Sequence, residues 1–150
     1  MPETTVETLL GPVRIQADDI HITAINWGIG SYDDTPVLRE AAKQLAAYFA
    51  KDITEFDLPL KPKGDSFQQS VCKAMCAIPY GETRTYGELA KDLGSMPQPV
   101  GNACGLNSIP IIIPCHRVVG RDGLGGFSAP GGVETKVALL RHEEAYALLL

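Results

Sequence analysis

The sequence predicts a mixed α/β (α+β) chain in two parts, on three observations. Short runs that alternate apolar and polar residues crowd the stretch from Thr4 to Gly28, as half-buried strands do. Helical apolar spacing dominates from Ser66 onward. Between them "LPLKPKGD" carries two prolines and a glycine, the best linker candidate in the chain. A length of 150 residues allows one sizeable core or two small lobes sharing an interface. The expected division is a sheet-and-helix lobe over 1–60 and a helical domain over 61–150.

The elements follow in order. "TTVETLLGPVRIQADDIHITAINWG" reads as two or three short strands, with turn signals at Gly11-Pro12 and Asp18-Asp19. "TPVLREAAKQLAAYFAKD" is helical, with Leu38, Ala42, Leu45, Ala46 and Phe49 on one face, Thr35 as N-cap and Pro36 in the first turn. "SFQQSVCKAMCAI" is amphipathic through Phe67, Val71, Met75 and Ile78, and Ser66 can cap it. "TYGELAKDLG" is a short helix capped by Thr85 and ended by Gly94. A second short helix, rich in small residues, lies in "SMPQPVGNACGLNS". Two short helices across a tight turn make a candidate helix-turn-helix, or else an ordinary helical hairpin. A buried strand "IPIIIP", a hairpin-like "VVGRDGLGGFSAPGG" and a last helix "VETKVALLRHEEAYALLL" complete the chain.

Composition excludes several classes. No apolar run approaches the roughly 20 residues of a membrane span. "MPETTVETLL" lacks a basic region followed by an apolar core, so no secretory signal is expected. Four cysteines without such a signal do not read as a disulfide framework, which points to reduced thiols in the cytoplasm. The formal net charge of −5 argues against a nucleic-acid surface, but residues 1–60 hold −6 of it and residues 61–150 are at +1. A DNA contact in the second part would therefore rest on a local patch.

Cys115 is the sharpest chemical candidate. A thiolate is a soft nucleophile suited to carbon, provided that a partner takes its proton or lowers its pKa. His116 is its neighbour, although adjacent strand residues face opposite sides, so contact calls for a turn or a bridging water. Glu143 could orient the imidazole from the last helix, in a nucleophile–base–orienter relay. The competing interpretation is an inert buried thiol. Cys72 and Cys76 share a helical face, but three histidines in the whole chain leave no metal-ligand set in view. Cys104 reads as small-residue packing, His142 as a surface or capping residue, and Arg117 as either a phosphate contact or a tie between loops.

"PCHRVVG" at 114–120, with "GLNSIPIII" before it and "FQQSVCKAMCAIPYGETRTYGELA" upstream, closely resembles the O6-alkylguanine-DNA alkyltransferases, or methylated-DNA–protein-cysteine methyltransferases. The likeness is strong from Phe67 to about Glu143. It extends to "LLGPVRIQADDIHITAINW", which is similar to that family's small ribonuclease-H-like lobe. The resemblance implies that lobe followed by a winged helix-turn-helix-like DNA-binding domain. It also implies a single-turnover, self-inactivating transferase that flips an O6-alkylated guanine from the duplex and moves the alkyl group onto its own cysteine. On this sequence Cys115 is then the acceptor, His116 deprotonates it through a water, and Glu143 holds His116. Asn107 pins the turn before the active-site segment. Tyr86 rotates the target phosphate and donates to the base, and Ser128 touches O6. Gln98, Pro99, Gly101 and Ala103 belong to the minor-groove helix, where small side chains let the backbone approach; Arg117 joins the DNA-binding set. The implied partner is double-stranded DNA containing O6-alkylguanine, met by a monomer without cofactor, metal or membrane.

This chain departs from the family at Gln98, where an arginine usually fills the gap left by the flipped base, so weaker flipping or altered lesion choice is expected. Cys104 and Ser108 stand for the common Asn and Pro, Cys72 for Trp, and Phe127 for Tyr; "SAPGG" is longer than the usual pocket loop. Two rival functions follow: a lesion-binding alkyltransferase-like protein with weak or no transfer, for which Gln98 argues and Cys115 does not, and a helix-turn-helix regulator signalled by cysteine alkylation.

Overall fold

The structure is a computed structural model that describes residues 1–127 and 130–145. The chain divides into two compact units, Met1–Pro62 and Lys63–Leu150.

In the first unit, strands β1 (Glu3–Thr8), β2 (Gly11–Ala17) and β3 (Ile22–Trp27) form an antiparallel meander in that order. Val6 opposes Val13, and Ile15 opposes Ile25. The first turn falls at Leu9-Leu10, two residues before the expected place, and Gly11 opens β2 with φ +90°. Helix α1 (Pro36–Phe49) packs across β1 and β2; Thr35 Oγ1 accepts the Leu38 N–H, as its capping position predicts. The buried stripe of α1 is Leu38, Ala41, Leu45 and Tyr48, not the Ala42–Ala46–Phe49 side. The phenol ring of Tyr48 packs inward against Phe49 and Phe56, and that shifts the stripe by one residue. Val13, Ile15, Ile22, Leu38 and Leu45 are fully buried and form the core.

In the second unit, α2 (Ser66–Cys76), α3 (Tyr86–Leu93) and α4 (Pro97–Gly105) pack on one another. Asp65 caps α2 by accepting the Gln68 N–H, one residue ahead of the expected Ser66. Thr85 and Glu88 form a capping box at α3, and Gly94 ends it in the left-handed conformation at φ 65°. The short link Gly94–Met96 between α3 and α4 gives the helix-turn-helix its form. Buried Gln68 donates to the Ala103 carbonyl at 2.8 Å and ties α2 to α4. Strand β4 (Arg84–Thr85) pairs in parallel with β5 (Val118–Val119), where the glycine-rich stretch after it predicts a hairpin. Helix α5 (Val133–His142) packs on a 3-10 helix at Cys115–Arg117.

Candidate active site

The segment read as a buried strand, Ile109–Ile113, is a buried turn. Asn107 makes it so. Its Oδ1 accepts the Ile109 N–H at 3.0 Å, and its Nδ2 donates to the Ile113 carbonyl at 2.8 Å, closing the loop on itself. Ile111 is held at φ 74°, a left-handed conformation that costs a β-branched residue about 1–2 kcal/mol. Pro114, at φ −82° and ψ 67°, then forms an inverse γ-turn in which the Cys115 N–H donates to the Ile113 carbonyl at 2.8 Å.

Cys115 therefore opens a 3-10 helix, not a strand end. With about three residues per turn, Cys115, His116 and Arg117 point in three directions. Cys115 lines a pocket of about 400 Å³ with Tyr86, Gly101, Cys104, Gly105, Gly126 and Phe127. His116 points into the interior and is fully buried. Its Nε2 lies 2.8 Å from Oε2 of Glu143. A carboxylate only accepts, so Nε2 carries the proton and Nδ1 keeps a free lone pair. Nδ1 is buried and has no hydrogen-bond partner among the described residues.

Arg117 completes this centre from the other side. Its Nε and Nη2 donate to Oε1 and Oε2 of Glu143 at 2.8 and 2.9 Å, and Nη1 donates to the Ile78 carbonyl at 2.7 Å. The guanidinium lies over the Tyr80 ring. Arg117 is thus turned inward with its charge matched, which corrects the expectation of a DNA contact. Burial works against a charge on Glu143, yet the hydrogen bonds from His116 and Arg117 outweigh it and hold the carboxyl well below the usual range. Burial pushes the His116 pKa down, against the pull of Glu143, so the imidazole is neutral and able to accept a proton. Burial pushes the Cys115 thiol up to about 11, opposed by Asn107 and Lys136.

Lys136 was missing from the sequence-derived set. It is fully buried on α5, and its Nζ donates to the Val118 carbonyl at 2.7 Å, the Gly126 carbonyl at 3.1 Å and the Tyr86 hydroxyl at 3.4 Å. Burial lowers its pKa to about 8. The available signal was a lysine three and four residues before Leu139 and Leu140, on the buried face of α5. Tyr86, at the first position of α3, is raised to about 12 by burial. Gly125 has φ +74°, and a Cβ there would stand 2.7 Å from the Tyr86 hydroxyl, so its lack of a side chain leaves room for that ring.

The remaining predicted residues separate. Gly101 is at the pocket wall, while Gln98 and Pro99 are exposed at the start of α4. Ala103 is buried, its carbonyl bound by Gln68, and does not offer the small DNA-facing surface expected of it. Cys104, expected as plain packing, is buried and lines the pocket; His142, expected as a surface or capping residue, is the buried last residue of α5. Ser128 lies outside the described residues. Among the described residues no cluster of three or more His, Cys, Asp or Glu could hold a metal.

A buried thiol on a pocket wall, a histidine–carboxylate pair behind it and a helix-turn-helix in front define a cysteine-based group-transfer protein on a DNA-binding scaffold. Residues 66–145 match the DNA-binding domain of 6-O-methylguanine DNA methyltransferase, and residues 1–62 match its ribonuclease-like domain. The chain belongs to that family. A methylated-DNA–protein-cysteine methyltransferase of Methanosarcina acetivorans is 40% identical over 149 residues, covering 91% of this chain and 94% of the relative. The crystal structure of Mycobacterium tuberculosis O6-methylguanine methyltransferase superimposes with a TM-score of 0.84 at 38% identity, over 97% of this chain and 93% of that one. The structure of Mycobacterium tuberculosis OGT in complex with DNA gives 0.86 at 40% identity, over 97% and 94%.

Proposed function

We propose that this protein repairs DNA by moving an alkyl group, methyl above all, from O6 of guanine to its own Cys115, once per molecule. The observation that carries this is the placement of Cys115 on a pocket wall, followed in the chain by a buried, neutral His116 whose Nε2 is held by Glu143 and whose Nδ1 has no hydrogen-bond partner among the described residues. The exposed start of α4, with Gln98, enters the minor groove. The alkylated base turns out of the stack into the pocket, where Tyr86 donates to it. His116 takes the Cys115 proton through a water, and Glu143 stabilises the imidazolium. The thiolate forms an S–C bond as the C–O6 bond breaks, and guanine leaves with the electron pair and takes a proton from Tyr86. Asn107 holds the acceptor turn, and Ser128 is assigned to the O6 contact. The thioether has no route back, which makes the protein its own stoichiometric reagent.

A cysteine on the pocket wall followed in the chain by a histidine held by Glu143, and relatives that carry the methyltransferase name over nine-tenths of the chain, favour transfer over lesion binding alone. Residues 1–60 form the ribonuclease-like lobe and 61–150 the DNA-binding and acceptor domain, acting as a monomer on double-stranded DNA. Among the described residues no helix is long and apolar enough to cross a membrane. Four free cysteines suit the reducing cytoplasm.

The test is incubation with a duplex carrying O6-methylguanine, followed by mass analysis of the Cys115 peptide. One added methyl group on Cys115 is expected; an unmodified peptide under excess duplex overturns the proposal.

A further inference from the structure

The pocket holds a thiol that methyl transfer does not use. On α4 the pocket-facing positions are Gly101, Cys104 and Gly105, so among the described lining residues Cys104 is the side chain this helix offers there. It meets the same space as Cys115, and both thiols are free and buried. After its own burial, the strongest influence on the ionisation of Cys104 is the charge of Cys115. The Lys136 ammonium favours the thiolate of both. Cys72 and Cys76 line no part of this pocket.

We propose that Cys104 is a second alkyl-accepting thiol, which closes an ethylene bridge to Cys115 when the O6 substituent is a two-carbon chain ending in a leaving group. The inference rests on Cys115 being the acceptor, as proposed above. A methyl thioether on Cys115 carries no leaving group, and Cys104 stays idle after it forms. A 2-chloroethyl group behaves differently. In the first step the Cys115 sulfur bonds to the carbon on O6, the C–O6 bond breaks, and guanine departs as before. In the second step the Cys104 sulfur bonds to the terminal carbon, the C–Cl bond breaks, chloride leaves with the electron pair, and the Cys104 proton passes to water. The product is Cys115–S–CH2–CH2–S–Cys104. Neither step needs an oxidant or reductant. Holding the second thiol beside the first adduct makes the closure intramolecular, which favours it strongly over hydrolysis by water. It also removes a 2-chloroethyl thioether, which is itself an alkylating agent, while still inside the protein.

The chain provides a convenient readout. Cleavage after Lys91 and Arg117 releases one peptide, Asp92–Arg117, that contains Cys104 and Cys115 and neither of the other cysteines. The intact protein is incubated in parallel with duplexes bearing O6-methylguanine and freshly made O6-(2-chloroethyl)guanine, then treated with iodoacetamide and digested. The methyl duplex should give one methyl on Cys115 and one carbamidomethyl on Cys104. The chloroethyl duplex should give a peptide that has lost both thiols, gained a single ethylene bridge and taken no carbamidomethyl group. Hydroxyethyl or chloroethyl on Cys115 with carbamidomethyl on Cys104 overturns the bridge while leaving the acceptor assignment intact. Absence of transfer from both duplexes overturns the acceptor assignment, and the bridge with it. Cys104→Ser, treated with the chloroethyl duplex, should lose the bridged species; its persistence would place the second bond elsewhere and reject Cys104.

Discussion

Among the described residues the two oxygens of Glu143 serve His116 and Arg117, and its position explains why one carboxylate can organise a thiol it does not touch. Arg117 fixes the carboxylate plane through both oxygens, and His116 takes its orientation from Oε2. Replacing Glu143 by Gln leaves a buried guanidinium without its counter-charge, a class of change that costs about 3–5 kcal/mol. Chemical denaturation of Glu143→Gln should show a loss of that size, and single-turnover transfer should slow with it. The pH dependence has a definite sign. Glu143 ionises below its ordinary value of 4.5 in the fold, so below that pH the unfolded chain binds more protons. The stability it contributes is complete above about pH 4.5 and is lost as pH falls through the folded value. An acid titration of folding should show that loss in the wild type and lack it in Glu143→Gln. Cys115 gives the alkaline counterpart: without DNA, its alkylation by iodoacetamide should keep rising up to about pH 11, beyond the ordinary thiol value of 9.0. A plateau by pH 9 would show that burial does not restrain the resting thiol.

At the scale of elements, short structures place the reacting groups. The capping box at Thr85 starts α3 and so sets Tyr86, the next residue, on the pocket wall. Thr85→Ala should cost about 1 kcal/mol in denaturation and slow transfer through Tyr86. Gly125→Ala should do more to the reaction than its size suggests, because the new methyl group meets the Tyr86 ring and the backbone there is left-handed. A Gly125→Ala protein with normal transfer would show that the ring has room to move. Helix α4 begins with Pro97, Gln98 and Pro99, all exposed and without a cation. Gln98→Arg should tighten binding to O6-methylguanine duplex and speed transfer; no change, or a loss, would mean that the gap in the stack is filled by another group.

On the scale of the whole molecule, charge is the governing feature. At −5, with its acid concentrated in the first 60 residues, the chain has little long-range attraction for DNA. Affinity for duplex should therefore fall gently with salt, each phosphate contact contributing about 0.9 to the log–log slope. A titration across salt concentrations measures that slope, and a value typical of strongly basic DNA binders would point to a cationic surface not visible in the net charge.

Much of this was legible in the residues themselves. Period-two and helical spacings predict the meander, α1, α2 and the α3–α4 pair, because those patterns follow from which side of a local element is buried. The cysteine, its histidine neighbour and the distant Glu143 were also legible, through chemistry and the long motif around "PCHR". Tertiary structure decided the rest. "IPIIIP" is a turn and not a strand because two side-chain hydrogen bonds from Asn107 override the β preference of the isoleucines. Arg117 faces inward because Glu143, 26 residues away in sequence, arrives from α5 to neutralise it. Cys104 joins the pocket, and Lys136 comes to lie behind its wall at Tyr86 and Gly126, for the same reason. Local spacing reveals which face of a helix is buried, but what that face meets depends on elements far along the chain, and here those contacts place a cation and a second thiol beside Cys115.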